Sequence, residues 1–136
     1  VNNRDRRYGM SAPLILISTS EIKQGKLSEY ELFSEEMIKT IEANEPRLLG
    51  FGTYVSEDGV HATTVQIHPD ADSLMFHFQM VREKMDTAFE HLELKGATLC
   101  GDLNDQAMDT ARQIAGSGVP VNVNPKILGG FARLAA

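Results

Sequence analysis

EPRLLGFGTYVSEDGVHATTVQIHPDADSLMFH, Glu45–His77, is the stretch whose reading decides the fold. From Leu48 to Val55 one face carries Leu49, Phe51, Thr53 and Val55, and the other carries Leu48, Gly50, Gly52 and Tyr54. That period of two predicts a strand. Ser56-Glu57-Asp58-Gly59 follows. Asp-Gly between two β-rich runs predicts a tight hairpin turn, because glycine accepts the positive φ the turn needs. Val60 to His68 is then the returning strand. Pro69 has no N–H for a ladder and stops it, and Asp70 or Asp72 caps a helix beginning near Ala71. Leu74, Phe78, Val81, Met85, Ala88 and Leu92 give that helix an apolar stripe to about His91, with His77 turned back toward the hairpin.

Upstream, Ala12 to Ile22 reads as a strand whose Leu14, Ile15, Leu16 and Ile17 are apolar on both faces of the pleat. Lys23-Gln24-Gly25-Lys26 breaks it, and a helix is predicted from about Ser28 to Ala43. Ser28 and Glu31 have capping-box spacing, Leu27 and Leu32 that of a hydrophobic staple, and Tyr30, Phe33, Met37 and Ile41 form one stripe. Downstream, Leu94 to Leu103 predicts another strand. Asn104 caps a helix whose apolar side is Ala107, Ala111, Ile114 and Ala115, and Gly116-Ser117-Gly118 ends it. Val119–Val123 and Ile127–Leu134 are two closing extended pieces.

The order is β-α-β-β-α-β followed by an extra α-β. This is an α+β, ferredoxin-like arrangement: a mostly antiparallel sheet with both helices on one face. The other face then holds half of the first strand's apolar residues together with Leu48 and Tyr54. Leaving such side chains in water forfeits about 1.5–3 kcal/mol each. A second copy of the sheet is the simplest cover, which predicts a symmetric homodimer. The alternative is that the extra C-terminal α-β unit covers that face within one chain.

The 136 residues suit a single domain over 12–136, preceded by a flexible, arginine-bearing tail at 1–11. A net charge of −6 argues against a nucleic-acid surface, which needs a clustered basic face. One cysteine, Cys100, excludes an internal disulfide, and no Cys/His spacing suggests zinc, so a reducing cytoplasm fits best. No apolar run approaches the roughly 18 residues of a membrane-spanning helix, and the start of the chain lacks a signal-peptide core. His61 and His91 read as exposed. Asp102, Asp105 and Asp109 read as acids favoured at a helix start, not as a metal site.

The strand ending in IKQGK, the helix beginning LSEYELF, the EPRLLGFGTYVSEDG hairpin and the HPDADSLMFH turn-helix resemble the antibiotic-biosynthesis monooxygenase superfamily of dimeric α/β barrels. The resemblance covers about Pro13 to Val81, and the closing GGFAR is similar to the last strand of some members. It implies a homodimer holding a small apolar or aromatic molecule. In the haem-degrading branch an Asn on the first strand, a Trp and a helical His form the site. Ser18 and His68 stand at the first two positions here, and His77 at the third, which weakens the haem alternative.

The oxygenase branch implies no cofactor. It needs a base near an acidic proton, a donor for the resulting oxyanion and walls that exclude water. On this reading His77 and His68 are candidate bases, because histidine has the ordinary pKa nearest neutrality, and Tyr54 is the donor. Ser18, Phe51, Met75 and Phe76 line the pocket of a cofactor-free monooxygenase for an aromatic or polycyclic substrate. The competing expectations are a non-catalytic binding protein for a small ligand or haem, and a structural dimerisation module with a filled core.

Overall fold

Each predicted hairpin feature recurs as backbone geometry in the computed structural model, which describes residues 13–116 and 118–130. The strands are β1 (Leu14–Ile22), β2 (Gly50–Val55), β3 (His61–His68), β4 (Leu92–Cys100) and β5 (Val121–Asn124); the helices are α1 (Leu27–Asn44), α2 (Ala71–His91) and α3 (Asp105–Ala115). Between β2 and β3 the Gly59 N–H donates to the Ser56 carbonyl at 2.9 Å, with Gly59 at φ 74°. The turn sets the register Phe51↔Gln66 and Thr53↔Thr64.

The strands form one sheet in the order β2-β3-β1-β4-β5. The first four are antiparallel neighbours, the ferredoxin-like arrangement, and β5 adds to the β4 edge in parallel. All three helices lie on the same face. Leu14, Leu16 and Leu99 of the sheet pack there against Leu74 and Phe78 of α2 and Ala111 of α3. The extra C-terminal unit therefore extends the existing two layers and does not cover the opposite face, contrary to the single-chain alternative. Pleat alternation places Ile15, Ile17, Val65 and Ile67 on that opposite face, where each is partly exposed.

Local signals account for α2 and α3. The Asp70 carboxylate accepts from the Ser73 N–H at 2.9 Å and also pairs with Arg47, which holds the Asp70 carboxyl below its ordinary range. Asn104 accepts from the Ala107 N–H at 2.8 Å, and α3 ends at Gly116 with φ 86°. The first helix differs from expectation. It begins at Leu27 after an uncapped Lys26, so the Ser28–Glu31 capping box does not form. Its backbone lies along α2, and it meets the sheet through Tyr30, packed with Ile22, Ala62 and Leu92. Two further differences are that β4 starts directly at Leu92, and that residues 127–130 form no strand. The expected tail at 1–11 and the remainder of the last extended piece, 131–134, lie outside the described residues.

Candidate functional site

The sheet under α1 is floored by short side chains. Ser18 and Ser20 of β1, Thr53 of β2, and Ala62 and Thr64 of β3 all face the helices. They cannot reach a helix that stands away from the sheet. The result is a cavity of about 140 Å³, roofed by Phe33, Met37 and Ile41 of α1 and closed along α2 by His77, Val81 and Met85. Floor hydroxyls and apolar roof make it two-sided: hydrogen-bonding on the sheet, oily on the helices.

His77 is the ionisable side chain best placed in this wall. It is 4% exposed, and its Nδ1 lies 3.0 Å from both carboxylate oxygens of Glu45, itself 4% exposed. Glu45 is the C-cap of α1, with its backbone N–H bonded to the Ile41 carbonyl. That is the negative end of the helix dipole and a poor place for a carboxylate, so the His77 contact compensates it. A carboxylate only accepts, so Nδ1–H donates to Glu45. In the neutral ring the lone pair is then at Nε2, which has no protein partner among the described residues. Carboxylate, oriented imidazole and free nitrogen form the arrangement of a general base. Phe51 stands beside it, ring centroids 6.0 Å apart.

Behind this wall lies a second buried histidine. His68 is 0% exposed and 5.8 Å from the His77 ring. Its Nδ1 meets Ser73 Oγ at 2.8 Å and its Nε2 meets Gln66 Oε1 at 2.9 Å. Its pKa is lowered to about 4, chiefly by burial and secondly by the neighbouring His77, with Asp70 partly opposing the shift. Both nitrogens are occupied, and the ring is not part of the cavity wall, so its geometry does not suit a base acting on a ligand. Gln66, on the same face of β3, does reach the wall.

Of the residues expected at the site, the structure brings His77, Ser18 and Phe51 to one cavity. Tyr54 points to the other side of the sheet, 63% exposed, with its hydroxyl over Gly52. The pleat that turns Phe51 inward turns Tyr54 outward. Met75 packs against the core around Leu14 and Leu74, and Phe76 is 46% exposed on the outer side of α2. His91 is half-buried beside Phe33, not exposed, with a buried Nδ1 that has no hydrogen-bond partner among the described residues. Glu45 and Gln66 were not singled out from sequence. Their only signals were Glu45 next to Pro46 at a helix end, and Gln66 sharing the His68 face of a strand.

The residues at this site do not suit a haem. The cavity itself, about 140 Å³, is close to the roughly 150 Å³ void that holds one benzene, so a porphyrin, with four pyrrole rings, would lie mostly outside it. The side chains at the haem-branch positions, Ser18 and His68, offer neither a carboxamide nor a broad apolar face. No group of three or more His, Cys, Asp or Glu side chains converges among the described residues. Nor, among them, is any helix long and apolar enough to cross a membrane.

No protein-family model matches the sequence, and no curated protein matches it either. Solved structures do. MupZ from Pseudomonas fluorescens superposes with a TM-score of 0.72 over 91% of each chain, at 18% identity. A candidate antibiotic biosynthesis monooxygenase from Caulobacter crescentus CB15 gives 0.56 at 16% identity, covering 72% of this chain and 93% of its own. A third structure, named as an antibiotic biosynthesis monooxygenase, gives 0.54 at 18% identity, covering 63% of this chain and 92% of its own. The match to MupZ leaves fewer residues unpaired than the α3–β5 span contains, so it extends into the C-terminal unit. These likenesses show the fold: this chain has the ferredoxin-like fold that the three structures share.

Proposed function

We propose that the protein is an enzyme that removes a proton from a small uncharged molecule held between sheet and helices, and that the reaction is a cofactor-independent monooxygenation. The observation carrying this reading is the buried Glu45–His77 dyad, with Nε2 left for a ligand. Glu45 orients the ring and stabilises the imidazolium that forms; His77 takes the proton. The apolar roof keeps water from the resulting anion. For an activated CH₂ flanked by aromatic rings, the carbanion's electron pair passes to dioxygen and a C–O bond forms, giving a hydroperoxide. Loss of water leaves a carbonyl. The two C–H bonds supply all four electrons that reduce O₂, so no external reductant is required.

The cavity volume bears on the substrate. One ring fits inside, and the rest of a polycyclic molecule would occupy the open groove along Glu45, Pro46 and Leu49 that shares Ile41 and Phe51 with the cavity. A homodimer joined through the partly exposed Ile15, Ile17, Val65 and Ile67 face belongs to the same proposal, as does a reducing cytoplasm for Cys100. A structural module with a filled core is disfavoured by the cavity itself.

An oxygen electrode tests the reaction with a panel of anthrones and hydroquinones in the presence of a chelator. Oxygen uptake should persist with chelator, and His77→Ala should lower kcat by about 100-fold or more. Undiminished turnover in His77→Ala would remove the dyad from the mechanism. A panel member that binds without oxygen uptake would identify a binding protein instead.

A further inference from the structure

The buried group that proton removal by His77 leaves unexplained is the chain Ser73–His68–Gln66. Gln66 Oε1 can only accept, so His68 Nε2 carries the proton and donates to it at 2.9 Å. The neutral ring has no second proton. Its Nδ1 therefore accepts from the Ser73 hydroxyl at 2.8 Å. Ser73 is itself fixed, because its backbone N–H is held by the Asp70 cap. Every donor in the chain points one way, from α2 through His68 to the carboxamide oxygen of Gln66. The carboxamide NH₂ is left over. Gln66 is 6% exposed, its NH₂ has no protein partner among the described residues, and it lines the cavity together with His77.

We propose that Gln66, positioned by His68 and Ser73, is the cavity's hydrogen-bond donor to an oxygen atom of the ligand, and that the ligand class is a neutral phenol, enol or enolisable ketone. This rests on the reading of His77 as the base. The two groups divide the work: His77 Nε2 takes the proton, and the Gln66 NH₂ meets the oxygen on which negative charge develops. Donors aimed where charge appears act most strongly in a site shielded from water. Preorganisation comes from His68, whose donation to Oε1 polarises the amide and holds it in one orientation. Among the residues lining the cavity there is no lysine or arginine, so a carboxylate or phosphate ester would enter without a counter-charge. Ser18 and Thr64 of the floor supply hydroxyls that suit further neutral oxygens.

The test has two parts. Nitrogen-15 imidazole spectra of the free protein should show His68 protonated at Nε2. A proton at Nδ1 would mean that the amide is turned over and presents its oxygen to the cavity, which overturns the proposal. The second part uses 4-nitrophenol, whose ionised form has its own visible absorption, and 4-nitrotoluene, which has the same ring without the hydroxyl. The wild-type protein should bind both and favour ionisation of the bound phenol. Gln66→Leu should reduce that ionisation by about tenfold or more, the scale of a hydrogen bond to a charged group, while holding 4-nitrotoluene within about twofold of wild type. Equal ionisation in Gln66→Leu, or equal loss of both probes, would overturn the proposal, as would a wild-type protein that binds neither. If His77→Ala ionises the bound phenol as well as wild type does and Gln66→Leu does not, the donor stands and the base assignment falls.

Discussion

Two neighbouring buried histidines, His68 on the sheet and His77 on α2, have opposite roles because their nitrogens are differently occupied. His77 spends one nitrogen on Glu45 and keeps the other, whereas His68 spends both. The lowered pKa of His68 gives stability a pH dependence with a definite sign. The unfolded ring takes up a proton near 6.5, and the folded ring resists it until about 4. Between those values the unfolded state binds more protons, so stability present above pH 6.5 is lost as pH falls toward 4. The full span corresponds to about 3 kcal/mol as an order of magnitude. Urea midpoints measured from pH 7 to 4 should fall in wild type and fall less in His68→Gln. Sequence alone placed His77 on a helix facing the hairpin. It could not supply Glu45, which is 32 residues away and meets His77 only after α1 and the hairpin have packed. The expected donor Tyr54 is excluded by the pleat. The alternation that puts Phe51 on one face puts Tyr54 on the other, so the two cannot line one cavity.

Elements with self-contained signals were legible, and those set by tertiary contact were not. The Asp-Gly turn, the Pro69 stop and the Asn104 cap need only a few consecutive residues, and each appears where its spacing put it; of Asp70 and Asp72, it is Asp70 that caps α2. Asn104→Ala should cost about 1 kcal/mol by removing the acceptor for the Ala107 N–H, read as a lower denaturant midpoint at unchanged m-value. The start of α1 is the counterexample. Capping-box spacing at Ser28–Glu31 is present, yet the helix opens at Leu27, whose side chain approaches the turn glycine Gly59. The space under α1 was likewise invisible, because it arises from two separate facts meeting. Short Ser and Thr side chains on β1 and β3 stand opposite a helix that lies along α2 and touches the sheet only towards its start, through Tyr30.

At the scale of the molecule, the helices take one face of the sheet, and the other keeps Ile15, Ile17, Val65 and Ile67 partly exposed. The C-terminal α3 and β5 enlarge the two-layer unit sideways and do not cover the open face. In the proposed homodimer, joined through that open face, Val65→Lys should convert dimer to monomer in native mass spectrometry, while leaving 4-nitrotoluene binding in the cavity on the opposite side within about twofold, as expected of sites that share no contacts. A monomeric wild-type protein would remove the dimer from the proposal. In the proposed site His77 presents a lone-pair nitrogen to a ligand-holding cavity, and the most direct measurement of this is the nitrogen-15 imidazole spectrum of His77, recorded with the ring neutral, before and after addition of 4-nitrophenol. The prediction is a proton at Nδ1 and an Nε2 resonance that moves when the phenol is added. A proton at Nε2, or an Nε2 resonance indifferent to a bound phenol, would contradict it.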